Sequence, residues 1–265
     1  MQVLIYDNAE ELSKEAAKLI IKQINKKPNL VLGLATGDTP LKTYKALINA
    51  NQNHLVDFSK VITFNLDEYV GLSKDDPQSY HYYMHQNLFD HINILEENIH
   101  LLDGKAKDFD VSSSQYDDLI ASYGGIDLQL LGIGMNGHIG FNEPDTKLSF
   151  NTHVTDLTET TLKQNKKYFQ GNTPMPTKAI TMGLGTIMQA QTILLLATGE
   201  RKANIMAKFL RKSYLSTDTP ASALLLHHHL IVMMDKEAAK LYEKEMNIYE
   251  YNHKEHSNYH TKSHH

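Results

Sequence analysis

The stretch LQLLGIGMNGHIGFNEP, residues 128–144, begins as a mostly apolar run and then breaks into glycines around one histidine, with a glutamate five residues beyond it. Its first part, Leu128–Ile133, is apolar on successive positions more than on alternate ones. A strand with one wet face alternates. A strand covered on both faces does not, and such strands belong to parallel sheets flanked by helices. Gly132, Gly134 and Gly137 then let the backbone turn sharply or approach a ligand closely.

The same pattern recurs outward from this stretch. Strands are expected at Val3–Tyr6, Leu30–Ala35, Val61–Asn65, Thr192–Ala197 and Leu230–Met234. Helical periodicity lies between them: Ala9–Lys26 puts Leu12, Ala16, Leu19, Ile20 and Ile24 on one stripe, and Glu200–Lys212 and Lys236–Ile248 read similarly. Strand and helix in alternation predict an α/β fold, a doubly wound, mostly parallel sheet with helices on both faces, Rossmann-like in plan. One domain is expected over residues 1–251, with a loose, polar, histidine-bearing tail at 252–265.

The composition narrows the function. A chain of 265 residues with 41% apolar content can bury a large core. With 26 basic against 31 acidic residues and no basic block, nucleic acid is not an expected partner. The absence of cysteine removes disulfide and thiolate chemistry and suits a reducing cytoplasm. The start, MQVLIYDNAEELSKE, lacks the basic-then-apolar pattern of a signal peptide. TILLLA at 192–197 is too short to span a bilayer, so no membrane association is expected.

In sheets of this kind ligands sit beyond the carboxyl ends of the strands, and four groups of polar residues fall there. In GLATGDTP, 33–40, Gly37 permits a tight turn, Thr39 can cap a helix and Pro40 fits its first position; the helix runs on through Leu41, Tyr44 and Leu47. Such a junction aims N–H groups at an anion, though an ordinary turn has the same spacing. Asp38 speaks against the anion unless it faces away. In FNLDEYVGL, 64–72, Asp67 and Glu68 follow a buried strand. Neighbours on an extended backbone face opposite ways, so one carboxylate can enter the crevice while the other caps or meets water. The inward one could serve as a general base; the alternative is an acidic cap. In the opening stretch, Glu143 lies within loop reach of His138 and could hold one ring nitrogen while the other exchanges protons, with Asn136 able to orient the ring. In ATGERKA, 197–203, Lys202 stands at a helix start, where cations are disfavoured unless an anion compensates.

The glycine spacing is not that of a dinucleotide site, and His138 has no second ligand at helical spacing, so neither cofactor nor metal is expected. The run His227–His229 splays its side chains and is placed at a helix end, with His227 lining the site.

Together these motifs resemble the glucosamine-6-phosphate deaminase family, over about Val3 to Glu245. FNLDEYVGL and GHIGFNEP are the specific matches; GLATGDTP is shared more widely among sugar-phosphate relatives, and TMGLGTIM (181–188) and PAS (220–222) agree. The resemblance implies a sugar-phosphate substrate, with Asp67 moving a proton from C2 to C1 and His138 opening the sugar ring. It makes Glu143 the partner of that histidine, with Asn136 in the same relay. Thr36, Gly37, Asp38, Thr39 and Lys202 would hold phosphate. Three departures stand out. Asn136 replaces an aspartate found in some members. Lys167 stands where an arginine helps grip phosphate, keeping the charge but losing the bidentate fork. Beyond NEP, His153 and Thr155 occupy positions that are basic in members activated by N-acetylglucosamine 6-phosphate, so that activation is expected to be absent. The alternatives are a 6-phosphogluconolactonase-type hydrolase, which shares a GH loop, and a non-catalytic sugar-phosphate-sensing domain. With the first strand at Val3, no DNA-binding segment is expected before the fold. A homo-oligomer is left open.

Overall fold

The structure is a computed structural model and describes residues 1–169 and 174–244. In chain order, β1 (Gln2–Tyr6) leads to α1 (Ala9–Lys26), β2 (Val31–Leu34), α2 (Leu41–Gln52), β3 (Ile62–Asn65), β4 (Asp67–Tyr69), α3 (Tyr80–Asn87), β5 (Ile99–His100), α4 (Phe109–Ser122) and β6 (Leu128–Leu131). Then come β7 (His153–Asp156), α5 (Glu159–Asn165), β8 (Lys178–Thr181), α6 (Leu184–Met188), β9 (Thr192–Ala197), α7 (Ala203–Leu210) and β10 (Leu230–Asp235). Residues 236–244 are helical.

Seven strands form one sheet in the order β1-β10-β9-β6-β2-β3-β5, and all its pairings are parallel. Successive residues of β9 show why no alternation was visible. Leu194 and Leu196 pack with α1 and α2 through Leu12, Ile20 and Leu47. Ile193 and Leu195 pack on the other face with Tyr116 of α4 and Ile205 and Phe209 of α7. The mostly parallel sheet with helices on both faces is the expected one.

α1 occupies its expected range. Asn8 caps it by accepting from the backbone N–H of Glu10 and Glu11, and Leu12, Ala16, Ile20 and Ile24 are buried. The start of α2 differs from expectation: it begins at Leu41, Pro40 occupies the cap position, and no side chain caps it, so Thr39 is free for the crevice. The expected helix at Glu200–Lys212 divides into a 3₁₀ turn, Glu200–Lys202, and α7. The expected last helix, Lys236–Ile248, begins where expected; its final residues and the polar tail lie outside the described residues. No helix among the described residues is long and apolar enough to cross a membrane.

Two features position the site. The chain steps from β2 to β3 and β5 toward one edge, then returns to place β6 on the other side of β2. The turns after β2 and β6 therefore diverge and open a crevice between them, which is the topological switch point of such sheets. Beside it lies a small antiparallel sheet, β4-β8-β7, that the sequence pattern does not announce. Its register sets Asp67 opposite Thr181.

Candidate active site

A cavity of about 420 Å³ fills the crevice, lined among others by Thr36, Gly37, Asp67, His138, Arg201 and Lys202. Asp38, Thr39 and Lys167 also line it. Three of the four polar groups reach it from the turns after β2, β6 and β9, and Asp67 reaches it from β4.

β3 ends at Asn65 and β4 starts at Asp67, so the strand passes from one sheet to the other at the cavity wall. Asp67 is buried and lines the cavity. Burial, with the Glu68 charge behind it, pushes its carboxyl up to about 8. Glu68 faces the opposite way. It accepts from the backbone N–H of Tyr69 (2.7 Å), Tyr80 (3.0 Å) and His81 (2.9 Å), which anchors the first turn of α3. Burial raises Glu68 to about 7, and these three donors partly offset it. Of the two adjacent carboxylates, the first enters the crevice and the second is the cap.

The histidine turn depends on glycine at two points. Gly137 has φ +89°, a left-handed conformation. At Gly134 a Cβ would stand 2.3 Å from Cε1 of His138, so the bare α-carbon is the surface on which the imidazole rests. The turn closes by Gly134 N–H donating to the His138 carbonyl, 2.9 Å. His138 Nδ1 lies 3.2 Å from Glu143 Oε2. Asn136 Nδ2 donates to the same oxygen at 2.7 Å, while its Oδ1 accepts from the His138 backbone N–H. Asn136 therefore orients the glutamate and the turn, and does not hold the ring itself. Thr161 Oγ1 donates to Glu143 Oε1. Burial opposes ionisation of Glu143, yet the bonds from His138, Thr161 and Asn136 hold it down to about 2.

The other end of the cavity is cationic. Gly37 has φ +90°, and Tyr83 Oη donates to its carbonyl at 2.5 Å, pinning the turn after β2 to α3. The turn before α7 is set by Asp235, whose two oxygens each lie 3.0 Å from the Gly199 N–H donor. Lys202 Nζ donates to the Ile133 carbonyl at 2.5 Å. Burial and the neighbouring Arg201 lower its ammonium to about 8, with the Asp38 charge working the other way. Lys167 forms an ion pair with Asp38 at 2.6 Å. Burial works against Asp38, but that bond and one from Tyr168 keep its carboxyl below its ordinary range. Asp38 thus turns its charge onto a lysine.

Sequence reasoning missed several lining residues. Arg201 was readable, as a second cation at the start that holds Lys202. Tyr69, Tyr80, Phe141 and Phe169 form an aromatic wall, with Tyr80 and Phe141 stacked at 6.0 Å. They come from separate segments, and no linear pattern joins them. One placement is corrected. His227 does follow a 3₁₀ turn, Pro220–Leu226, but its Nε2 is engaged by the Ala190 carbonyl at 2.8 Å and it is not among the cavity residues. That bond ties it to the link between α6 and β9. No cluster able to hold a metal occurs among the described residues.

Fold and cavity define a class: an α/β protein whose switch-point crevice sets a cationic end, with Lys202 and Arg201, opposite a buried aspartate and a histidine paired with a glutamate. More particularly, the chain belongs to the family of glucosamine-6-phosphate isomerases/6-phosphogluconolactonase, whose profile matches residues 7–233. A glucosamine-6-phosphate deaminase of Thermoanaerobacter sp. (strain X514) is 54% identical over 241 residues, covering 91% of this chain and 95% of its own. One from Clostridium novyi (strain NT) is 51% identical over 239 residues, 90% of this chain and 99% of its own. A solved monomeric glucosamine-6-phosphate deaminase superposes with a TM-score of 0.88 at 46% identity, covering 91% of this chain and all of its own. The 6-phosphogluconolactonase of Trypanosoma cruzi shares the fold, with a TM-score of 0.71 at 20% identity, 90% of this chain and 96% of its own.

Proposed function

We propose that the protein converts glucosamine 6-phosphate and water into fructose 6-phosphate and ammonia. The observation that carries this is a cavity lined by Asp67, His138 and Lys202, with the Glu143 carboxylate engaging His138 Nδ1 from behind the cavity wall. The deaminases at about half identity support the substrate.

The phosphate occupies the cationic end, against the Thr36–Thr39 turn, Lys202 and Arg201, with Lys167 at the rim. It does not react. Its binding aligns C1 and C2 with the groups at the other end. His138, held through Nδ1 by Glu143, takes the anomeric hydroxyl proton on Nε2 and returns one to the ring oxygen, opening the chain. Asp67 then removes the C2 proton, giving an enolamine, and delivers a proton to C1. The resulting C2 iminium adds water and expels ammonia. Asp67 must be ionised to start. The substrate's protonated amino group, brought beside it, favours the ionised form by direct attraction. A lactonase needs no base at C2 and would leave Asp67 without a task.

Amino sugar breakdown in the cytoplasm is the setting we assign, supported by the cysteine-free composition. A solved relative is a monomeric glucosamine-6-phosphate deaminase, which favours a site that needs no second copy.

Ammonia release by the purified protein tests the assignment, with Asp67→Asn beside it. The wild type is expected to release ammonia from glucosamine 6-phosphate. The variant is expected to bind the substrate with little change and to turn over about 10³-fold more slowly, within the usual range for loss of a general base. No ammonia from the wild type, or full activity in the variant, would overturn it.

A further inference from the structure

Thr161 belongs to none of the motifs that identify the site, yet it is buried beneath it, 1% exposed. It stands in the first turn of α5, where its backbone N–H is capped by the Thr158 hydroxyl. Its own hydroxyl meets two members of the relay: it donates to Glu143 Oε1 and lies 3.5 Å from His138 Nδ1. A hydroxyl has one proton. Glu143 is held ionised and can only accept, so that proton is committed to the carboxylate. Toward His138 the Thr161 oxygen can therefore only accept. Glu143 Oε2, at 3.2 Å from the same Nδ1, can also only accept. Both neighbours of Nδ1 want a proton from it, and neither can offer one.

The carboxylate is itself held from both sides. Thr161 takes Oε1, and Asn136 takes Oε2 at 2.7 Å. Without Thr161, Oε1 would lack this donor inside a buried pocket, and the carboxylate could rotate toward Asn136 and away from the ring. The Thr158 hydroxyl backs the arrangement, 3.3 Å from Thr161 Oγ1 and 3.5 Å from Asn136 Nδ2.

We propose that Thr161 is a positioning residue that locks His138 as the Nδ1–H tautomer, leaving the Nε2 lone pair as the only basic nitrogen presented to the cavity. Thr161 does not touch the substrate. Its role follows from α5 lying across the Glu143 carboxylate, and it makes the relay a four-membered unit of Asn136, His138, Glu143 and Thr161. The kinetic consequence rests on the proposed deamination; the tautomer does not.

The test uses Thr161→Val, which keeps the shape and removes the hydroxyl, and Thr161→Ser, which restores it. The first measurement is the ¹⁵N spectrum of the imidazoles, with the His138 resonances identified by their loss in His138→Gln. In the neutral imidazole of the wild type, Nδ1 is expected at the protonated shift and Nε2 at the pyridine-like shift. In Thr161→Val the two signals should move toward each other as the tautomers mix, and in Thr161→Ser they should return. The second measurement is turnover. Thr161→Val is expected to lower kcat about 10- to 100-fold, the usual cost of losing a partner that orients a functional side chain. KM should stay within about 3-fold, because the anion seat is untouched, and Thr161→Ser should recover at least a third of kcat. A wild-type His138 protonated on Nε2, or unchanged shifts in Thr161→Val, would overturn the proposal. So would a serine variant as impaired as the valine one, which would mark a packing role. A wild type that releases no ammonia but shows the expected spectra would sink the deamination and leave the tautomer assignment standing.

Discussion

The two ends of the cavity are built differently. At the end lined by Asp67 and His138 the carboxylates are buried: Glu143 is 5% exposed and engaged by three partners, and Asp67 is 6% exposed. At the cationic end Lys202 is largely buried, but the rim charges sit nearer water: the ion pair of Lys167 and Asp38 has side chains 49% and 57% exposed. Burial makes a charge sensitive to its surroundings, and water screens it. The first end should therefore respond to single-atom changes by large factors, whereas the second should tolerate the loss of a whole charge. The contrast also explains the sharing of work. Proton transfer needs fixed atoms and shifted ionisation, and holding a phosphate needs only a surplus of donors.

The contrast can be broken most severely at Gly134. An added methyl would collide with the His138 ring at 2.3–2.4 Å. The ring can swing away, so Gly134→Ala is expected to fold with a modest loss of stability, about 1 kcal/mol. Its turnover should fall about 10²-fold, as expected for a misplacement near 1 Å. Near-normal kcat in that variant would show that the ring's seat is not needed.

A second test uses Asp67, whose carboxyl is raised to about 8 from an ordinary value of 3.8. The folded state then holds a proton that the unfolded chain gives up. This contribution to stability is complete below about pH 3.8 and is lost as the pH rises through about 8. Asp67→Asn cannot ionise, so it should match the wild type below about pH 4, become progressively the more stable of the two as the pH rises toward about 8, and keep a constant advantage above that. For the same reason kcat/KM of the wild type should rise with pH toward about 8, where the free enzyme's base becomes ionised. Identical melting of the two proteins across the pH range would remove the buried, neutral Asp67 from the picture.

The smallest effect is expected at the other end. Lys167→Met breaks the pair with Asp38, which at this exposure contributes about 0.2–1 kcal/mol. KM should rise less than about 5-fold and kcat should hold, since Lys202 and Arg201 remain. A loss of activity comparable to that of Gly134→Ala would erase the distinction between the two ends.

How much of this was readable in the sequence follows the same physics. The core strands were legible because burial on both faces leaves unbroken apolar runs, and α1 because Leu12, Ala16, Ile20 and Ile24 repeat at helical spacing. The small sheet was not: β4 is only three residues long and mixes two carboxylates with a tyrosine. Parity along the strand told that only one of Asp67 and Glu68 could enter the crevice; which one depended on α3 arriving to receive the other. Asn136, His138 and Glu143 could be grouped because one loop carries all three. Thr161 could not, since its contact with Glu143 is made by the packing of α5. The same holds for the aromatic wall.

The Glu68 anchor has a mechanical consequence. Asp67 and Glu68 share one peptide, and Glu68 is bolted to the backbone of α3 at Tyr80 and His81. Asp67 is thus one arm of a rocker whose other arm is clamped to a helix. Since Tyr83 of that helix also grips the Gly37 carbonyl, α3 is a common chassis for Asp67 and the turn after β2. The span between the two ends of a bound sugar is held by a single rigid strut.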